Sequence, residues 1–373
     1  MPLLRPRRAA VAAAVLALTG LAAGQAAAVP AATAPASARP TPLKGQVAAA
    51  EDRVARDLAV SLADAGWSAR VRSAVGTGPA GLAPLAAGST ARAAGALARS
   101  VADGDRSIAA AKGLDAGVGP LLRVQLADPS MRAALDAGAA PLVAVAVADE
   151  HARTIRAYDS AGRVHTLDAA RVPAQPVYLV DLDGAKALAA GTAVLQKEFA
   201  DRGLTGAQAA GGWWGTKIDG IEVNDDQEPW FKGAAEMFSL VSGFGQDGKV
   251  RVDSVAMPYL QYDKTVYYPN QILVNWSNYK YNLADVVLME DDGDTNYLAL
   301  AQAVAAALLT IADQGAYIPL VNAVLGAMPS SWWTDDPDYV ESWYTLARTS
   351  TGRLNGASGN GWMTVEPYFV GQF

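Results

Sequence analysis

From residue 51 to about 75 the apolar residues Val54, Leu58, Leu62 and Trp67, with Val60 nearby, recur at the spacing of one helical face, which predicts an amphipathic helix. Alanine-rich stretches at 90–102 and 130–138 favour helix by propensity, with Gly76, Gly78, Gly104 and Gly119 as punctuation. At Pro141 the rhythm changes. PLVAVAV, RTIRAY, RVHTLD and PVYLVDL are short, β-branched or aromatic runs separated by turn residues, so three or four strands are expected, and Asp159, Ser160 and Gly162 supply the turn of a hairpin over 154–168, with His165 placed opposite Tyr158. Helical spacing returns over 184–202, where Leu188, Leu195 and Phe199 share a stripe and Gly203 ends the helix.

Beyond a glycine-rich stretch the pattern is dominated by strands. KIDGIEV, AEMFSLVSG, KVRVDSVAM, KTVYY, QILVNW, ADVVLME and WMTVEPYFV read as seven strands of an antiparallel sandwich. Residues 297–328 break this rhythm with Ala- and Leu-rich sequence, split near Gly315 and stopped by Pro329, which predicts an inserted helical hairpin packed in the core. The expected class is α+β: an N-terminal helical region with a small antiparallel sheet, then a C-terminal antiparallel β-sandwich-like domain with the inserted hairpin. The corresponding plan is a signal peptide at 1–28, a flexible leader at 29–45, an N-terminal domain at 46–204, a linker at 205–215 and a C-terminal domain at 216–373. A removable helical prodomain at 46–140 is an open alternative.

Composition sharpens the boundary. Eight of nine Trp lie beyond residue 212, and residues 1–215 hold 22 basic and 17 acidic residues against 8 and 20 in 216–373. The absence of Cys removes disulfides, thiol catalysis and Cys-ligated metals, and two His leave almost no room for a His-built site. A net charge of −7 argues against a nucleic-acid partner, whose phosphates need a basic face. At the N-terminus Arg5, Arg7 and Arg8 precede an apolar stretch from Ala9 to about Ala23 and the small-residue run Gln25-Ala26-Ala27-Ala28. That is the form of a cleavable secretory signal, and Ala9-Ala10-Val11 after the arginine pair favours general secretion over twin-arginine export. No later apolar run reaches the roughly 20 residues of a membrane helix, so no span is expected in the mature chain.

Three acidic clusters carry the candidate chemistry: Asp225, Asp226 and Glu228; Glu290, Asp292 and Asp294, with Asp291 between them; and Asp335, Asp336 and Asp338, with Glu341 close behind. Calcium takes six to eight oxygen ligands at flexible geometry, so carboxylates on adjacent loops of a rigid sandwich can share one ion. Crowded carboxylates without a cation raise one another's pKa values, which gives the cluster a reason to hold a metal. The motif Asp292-x-Asp294-x-Asn296 opens like an EF-hand but has Tyr297 where the loop needs Gly and Ala303 where it needs Glu, so the EF-hand is excluded. The competing reading is solvated turns and helix caps. Asp292 or Asp294 would cap the helix after them, and Asp335–Asp338 a helix through Tyr339 and Trp343. Two further classes stay open: an extracellular hydrolase using paired carboxylates, and a carbohydrate or surface adhesion module using Trp213, Trp214, Trp332 and Trp333. No nucleophile elbow, zinc-protease motif, P-loop or dinucleotide fingerprint is present, and His151 and His165 read as structural.

The run DDQEPWFKGAAEMFSLVSG (225–243) resembles an uncharacterised family of exported bacterial proteins, a domain of unknown function. The resemblance continues in the same order through MPYLQYDKTVYYPNQILVNW (257–276), VVLMEDDGDTNYLALA (286–301) and DDPDYVESWYTL (335–346), and upstream through IRAYDSAGRVHTLDAARVPAQPVYLVD (155–181). It spans about two thirds of the mature chain and implies secretion and a similar two-part architecture. It assigns no activity and no catalytic residue.

Overall fold

The helical spacing of residues 51–75 resolves into two helices, α1 (Gln46–Ser61) and α2 (Ala65–Thr77), in a computed structural model that describes residues 45–146, 152–206, 211–225, 235–291, 293, 295–328 and 339–371. The break is chemical. Asp64 adopts an extended backbone and its carboxylate accepts from the N–H of Trp67, which starts a new helix. Trp67 in turn donates its indole N–H to Ser61, so the corner is closed by a buried hydrogen bond. There follow β1 (Ala80–Gly81), α3 (Leu82–Ala87), α4 (Arg92–Ala111), β2 (Leu122–Leu126), α5 (Arg132–Asp136), β3 (Leu142–Val145), β4 (Thr154–Tyr158), β5 (Val164–Asp168), β6 (Val177–Leu182) and α6 (Gly184–Asp201). The six strands form one sheet in the order β1-β2-β6-β3-β4-β5. The small antiparallel sheet expected from the sequence is therefore larger, and β3 and β6 in it run parallel. β2 lay unnoticed because its core positions, Leu122 and Val124, sit in a run too short to show a period. In the β4–β5 hairpin His165 pairs with Ala157, one position away from the expected partner, and its Nε2 meets Asp159 at 3.0 Å in the turn.

The second half comprises β7 (Trp213–Val223), β8 (Met237–Phe244), β9 (Val250–Met257), β10 (Gln271–Asn275), β11 (Leu283–Glu290), α7 (Tyr297–Leu308), α8 (Val321–Ala327), β12 (Tyr339–Ala347), β13 (Gly352–Asn355) and β14 (Gly361–Val370). Two antiparallel sheets, β10-β7-β14-β13 and β12-β11-β8-β9, pack face to face through Ile218, Ile221, Leu273, Met363, Val241, Val286 and Trp343. This is the expected sandwich, and α7 and α8 are the expected hairpin within it. Two strand assignments change. KTVYY is not a strand, since only Tyr267 bridges to Ile221 and both Lys264 and Asn270 have positive φ. Residues 339–343, expected as a capped helix, begin β12 instead. A strand buried on both faces lacks the alternation that identifies strands, and an acidic run before a short apolar segment imitates a helix start.

One apolar cluster continues from α1 and α4 through α6, α7 and α8 to the outer face of the second sandwich sheet, where Phe238, Leu240, Phe244, Val287 and Met289 lie. Asn296 joins the helices at a single point. Its side-chain oxygen caps α7 by accepting from the N–H of Ala299, and its side-chain amide donates to the carbonyl of Ala111 at the end of α4. The N-cap of α7 is thus Asn296, which satisfies orphan groups of two helices at once, and not Asp292 or Asp294.

Candidate functional site

The register of the sandwich brings the flanks of the three acidic segments together. β12 begins where β11 ends, with Met289 opposite Tyr339, and Glu290 stands opposite Met237 at the start of β8. The side-chain amide of Asn360 donates to the carbonyls of both Asp225 and Val340, which fixes the end of β7 beside the start of β12. Of the nine sequence-selected residues, Asp225 and Glu290 are described. Asp225 is exposed, and Glu290 is 1% exposed on the side of its strand that faces the other sheet. Asp226, Glu228, Asp292, Asp294, Asp335, Asp336 and Asp338 lie outside the described residues, as do His151, Trp332 and Trp333. Among the described residues no group of three or more acidic or imidazole side chains is gathered to hold a metal ion.

Two neighbouring acids have structural work. Glu341 is fully buried, and its carboxylate accepts from the N–H groups of Ser342, Ser358, Asn360 and Gly361, so one side chain of β12 holds the β13–β14 turn of the opposite sheet. A carboxylate saturated by four N–H donors has little capacity left for a cation. Asp291 accepts from the ammonium of Lys112 at 2.7 Å and from the hydroxyl of Tyr297 at 2.6 Å, while its own N–H donates to the carbonyl of Glu236.

Lys112 is the residue that sequence reasoning missed. It occupies the C-cap of α4, is fully buried, and donates also to the carbonyl of Gly293 at 2.9 Å. Around it lies a layer of charge inside the apolar core. Burial, reinforced by the charge of Asp181, pushes the carboxyl of Glu51 on α1 well above the ordinary range, against the pull of Lys112. Burial also raises the carboxyl of Asp181, although Arg123 pairs with it at 2.7 Å across the β2–β6 ladder. Glu51 stands at a helical spacing that reads as one more amphipathic position. The only local hint was an acid on the apolar stripe of α1, beside Val47 and Val54.

A hydrolase of the paired-carboxylate kind needs a cleft in which one carboxyl is held protonated. One groove of about 750 Å³ lies between Pro79, Pro84, Leu121, Arg123, Asp183 and Lys186. Its charges are already committed: Arg123 to Asp181, Lys186 to the carbonyl of Pro120, and Asp183 to the N-terminus of α6. A second groove of about 670 Å³ carries Asp247 and Asp313. Lys280, Tyr281 and the N–H of Gly315 lower the carboxyl of Asp313 to about 2. At Asp247 desolvation is the largest single influence and acts upward, but the bond and charge of Arg251 together with backbone N–H groups bring the carboxyl below its ordinary value. A general acid requires the opposite shift. Glu51 has it, but lies in neither groove.

No curated protein and no solved structure matches the chain. Residues 80–372, from β1 to the end of β14, match the family described as protein of unknown function (DUF3103). Over this length the match shows the family, and the chain belongs to DUF3103.

Proposed function

We propose that the chain is exported, is cleaved after Ala28, and binds calcium through the acidic segments at one end of the β12-β11-β8-β9 sheet. The observation that supports this reading is the convergence of the strand ends that carry those segments: Glu290 opposite Met237, Met289 opposite Tyr339, and Asp225 tied through Asn360 to Val340. Strand ends that converge at one edge of a rigid sheet suit a site of mixed carboxylate and carbonyl oxygens, the donor set that calcium prefers. The ligands of this reading are drawn from Asp225, Asp226, Glu228, Glu290, Asp292, Asp294, Asp335, Asp336 and Asp338.

The test uses the chain from Val29 onward. At calcium a hundredfold above its Kd, a native-state ligand adds about 2.7 kcal/mol, which raises the melting temperature relative to EDTA. Asp292→Asn combined with Asp294→Asn removes the rise. Identical melting in millimolar calcium and in EDTA would sink the reading. N-terminal sequencing of the protein recovered from the culture medium tests export separately, with Val29 as the expected first residue.

A further inference from the structure

The inner face of the β10-β7-β14-β13 sheet is buried in the sandwich, whereas its outer face carries no helix or sheet among the described residues. Cross-strand register assigns that face. Trp362 stands opposite Glu222, Thr364 opposite Gly220, Glu366 opposite Lys217, and Tyr368 opposite Gly215, while Met363 and Val365 between them point into the core. Aromatic rings are spread over the face. Tyr268 is 75% exposed and Tyr368 44%. A Cβ built on Gly220 would touch the rings of Tyr268 and Trp362 at 3.6 and 3.7 Å, so the glycine leaves a shallow floor between two rings. At Gly215 the neighbouring side chains are Trp213 and Ile272. A cation lies over one face of two of the rings and holds it in place: the Arg353 guanidinium is 4.1 Å from the Trp362 centroid and the Lys217 ammonium 5.3 Å from that of Tyr368, which leaves the opposite faces for a ligand.

The polar groups decide what fits. Lys217 is already paired with Asp219 at 2.9 Å and Glu366 at 2.7 Å, and Arg353 is stacked on Trp362. With Glu222 the described residues of the face hold three carboxylates against two cations, a net negative charge that disfavours a polyanion. A protein partner would need a continuous apolar centre, whereas aliphatic contact here is confined to Ile272 and Val370 at one end. Separated rings with carboxylates, an amide at Asn355 and a hydroxyl at Thr364 between them instead match a molecule with apolar C–H faces ringed by hydroxyls. The electron-rich ring faces attract the C–H hydrogens, and carboxylate oxygens accept from hydroxyls in pairs. From Trp362 to Tyr368 a strand spans about 20 Å, enough for several sugar units and too long for one.

We infer that this face binds a neutral polysaccharide, laid along β14 with sugar rings on Tyr268, Trp362 and Tyr368. The face begins beside Asp225 at Trp362 and runs away from it along β14, and its contacts with a sugar need no calcium. The test is affinity electrophoresis of the chain from Val29 in native gels containing EDTA and one of four neutral polymers: hydroxyethylcellulose, laminarin, galactomannan or dextran. Alginate, a polyanion of sugars, serves as the contrast. At least one neutral polymer should retard the protein and alginate should not, with Tyr268→Ala and Trp362→Ala each weakening the interaction about tenfold, the loss expected of one aromatic contact. Tyr268 is so exposed that its variant should melt with the parent, and it decides the matter alone if Trp362→Ala does not fold. Retardation by none of the neutral polymers, retardation by alginate alone, or retardation undiminished by Tyr268→Ala would each overturn the inference.

Discussion

Glu51 is an acid on the apolar stripe of a helix, and its environment decides its protonation. Desolvation and Asp181 both oppose ionisation, and Lys112, engaged with Asp291, only partly offsets them. A folded-state pKa above the unfolded one means that the native protein keeps a proton the unfolded chain releases. The stability this group contributes is full below the ordinary carboxyl value of 4.5 and is lost as pH climbs towards the raised folded value. Glu51→Gln keeps the shape and removes the titration. It should match the parent in melting temperature at about pH 4 and exceed it by a margin that widens towards about pH 8. Asp181 and Asp285 also have raised carboxyls, so the difference between the two curves is the informative quantity, and parallel curves would refute the assignment. Little of this charge layer was legible beforehand. Lys112 closes an alanine-rich helix, where a lysine is ordinary, and its partner Asp291 is 179 residues away. The acidic run around Asp291 was visible as a cluster, but sequence alone gives no means of separating a counterion from a metal ligand.

At the scale of elements, α6 and α7 approach so closely that a methyl group at Gly191 would lie 2.3–2.4 Å from three carbons of the Tyr297 ring. Two effects compete there. An alanine in place of a mid-helix glycine ordinarily gains about 1 kcal/mol of helix propensity. The ring cannot retreat, however, because its hydroxyl donates to Asp291 and the backbone N–H of Tyr297 donates to the carbonyl of Lys112. Overpacking of a fixed core group costs about 1–3 kcal/mol, so Gly191→Ala should be destabilising by urea titration, and a stabilised variant would show that the helices separate easily. The helix α6 itself was readable from its stripe, but nothing in that stripe singles out Gly191. What was hidden was the neighbour. The same holds for β12: its aromatic and β-branched residues were visible, but its assignment as a strand depends on β11, to which it pairs from Leu283 to Met289. Hairpins such as β4–β5 were legible because turn and partners lie within 15 residues, whereas capping by Asn296 depends on the carbonyl of Ala111, which no local window contains.

For the whole molecule, the sharp change in composition near residue 212 and the continuity of the core point in different directions. Residues 216–373 are acidic and rich in Trp, yet Leu188, Leu195 and Phe199 of α6 share one apolar cluster with Phe238, Val252 and Tyr297 from the later half. Backbone hydrogen bonds cross as well, from the N–H of Val252 to the carbonyl of Leu204 and from the N–H of Tyr297 to the carbonyl of Lys112. Composition reports the surface chemistry of each stretch, whereas cooperativity follows the buried contacts. Trp67 is buried against α1, and Trp276 and Trp343 lie inside the sandwich, so fluorine-labelled tryptophan gives each half its own resonance. Urea titration followed by fluorine magnetic resonance should show Trp67, Trp276 and Trp343 losing their native signals at one midpoint, because opening either half would expose the other's apolar face and the charge layer around Lys112. Separate midpoints would mean that the shared cluster contributes less than each half does internally, and would return the two halves to the status of independent folding units.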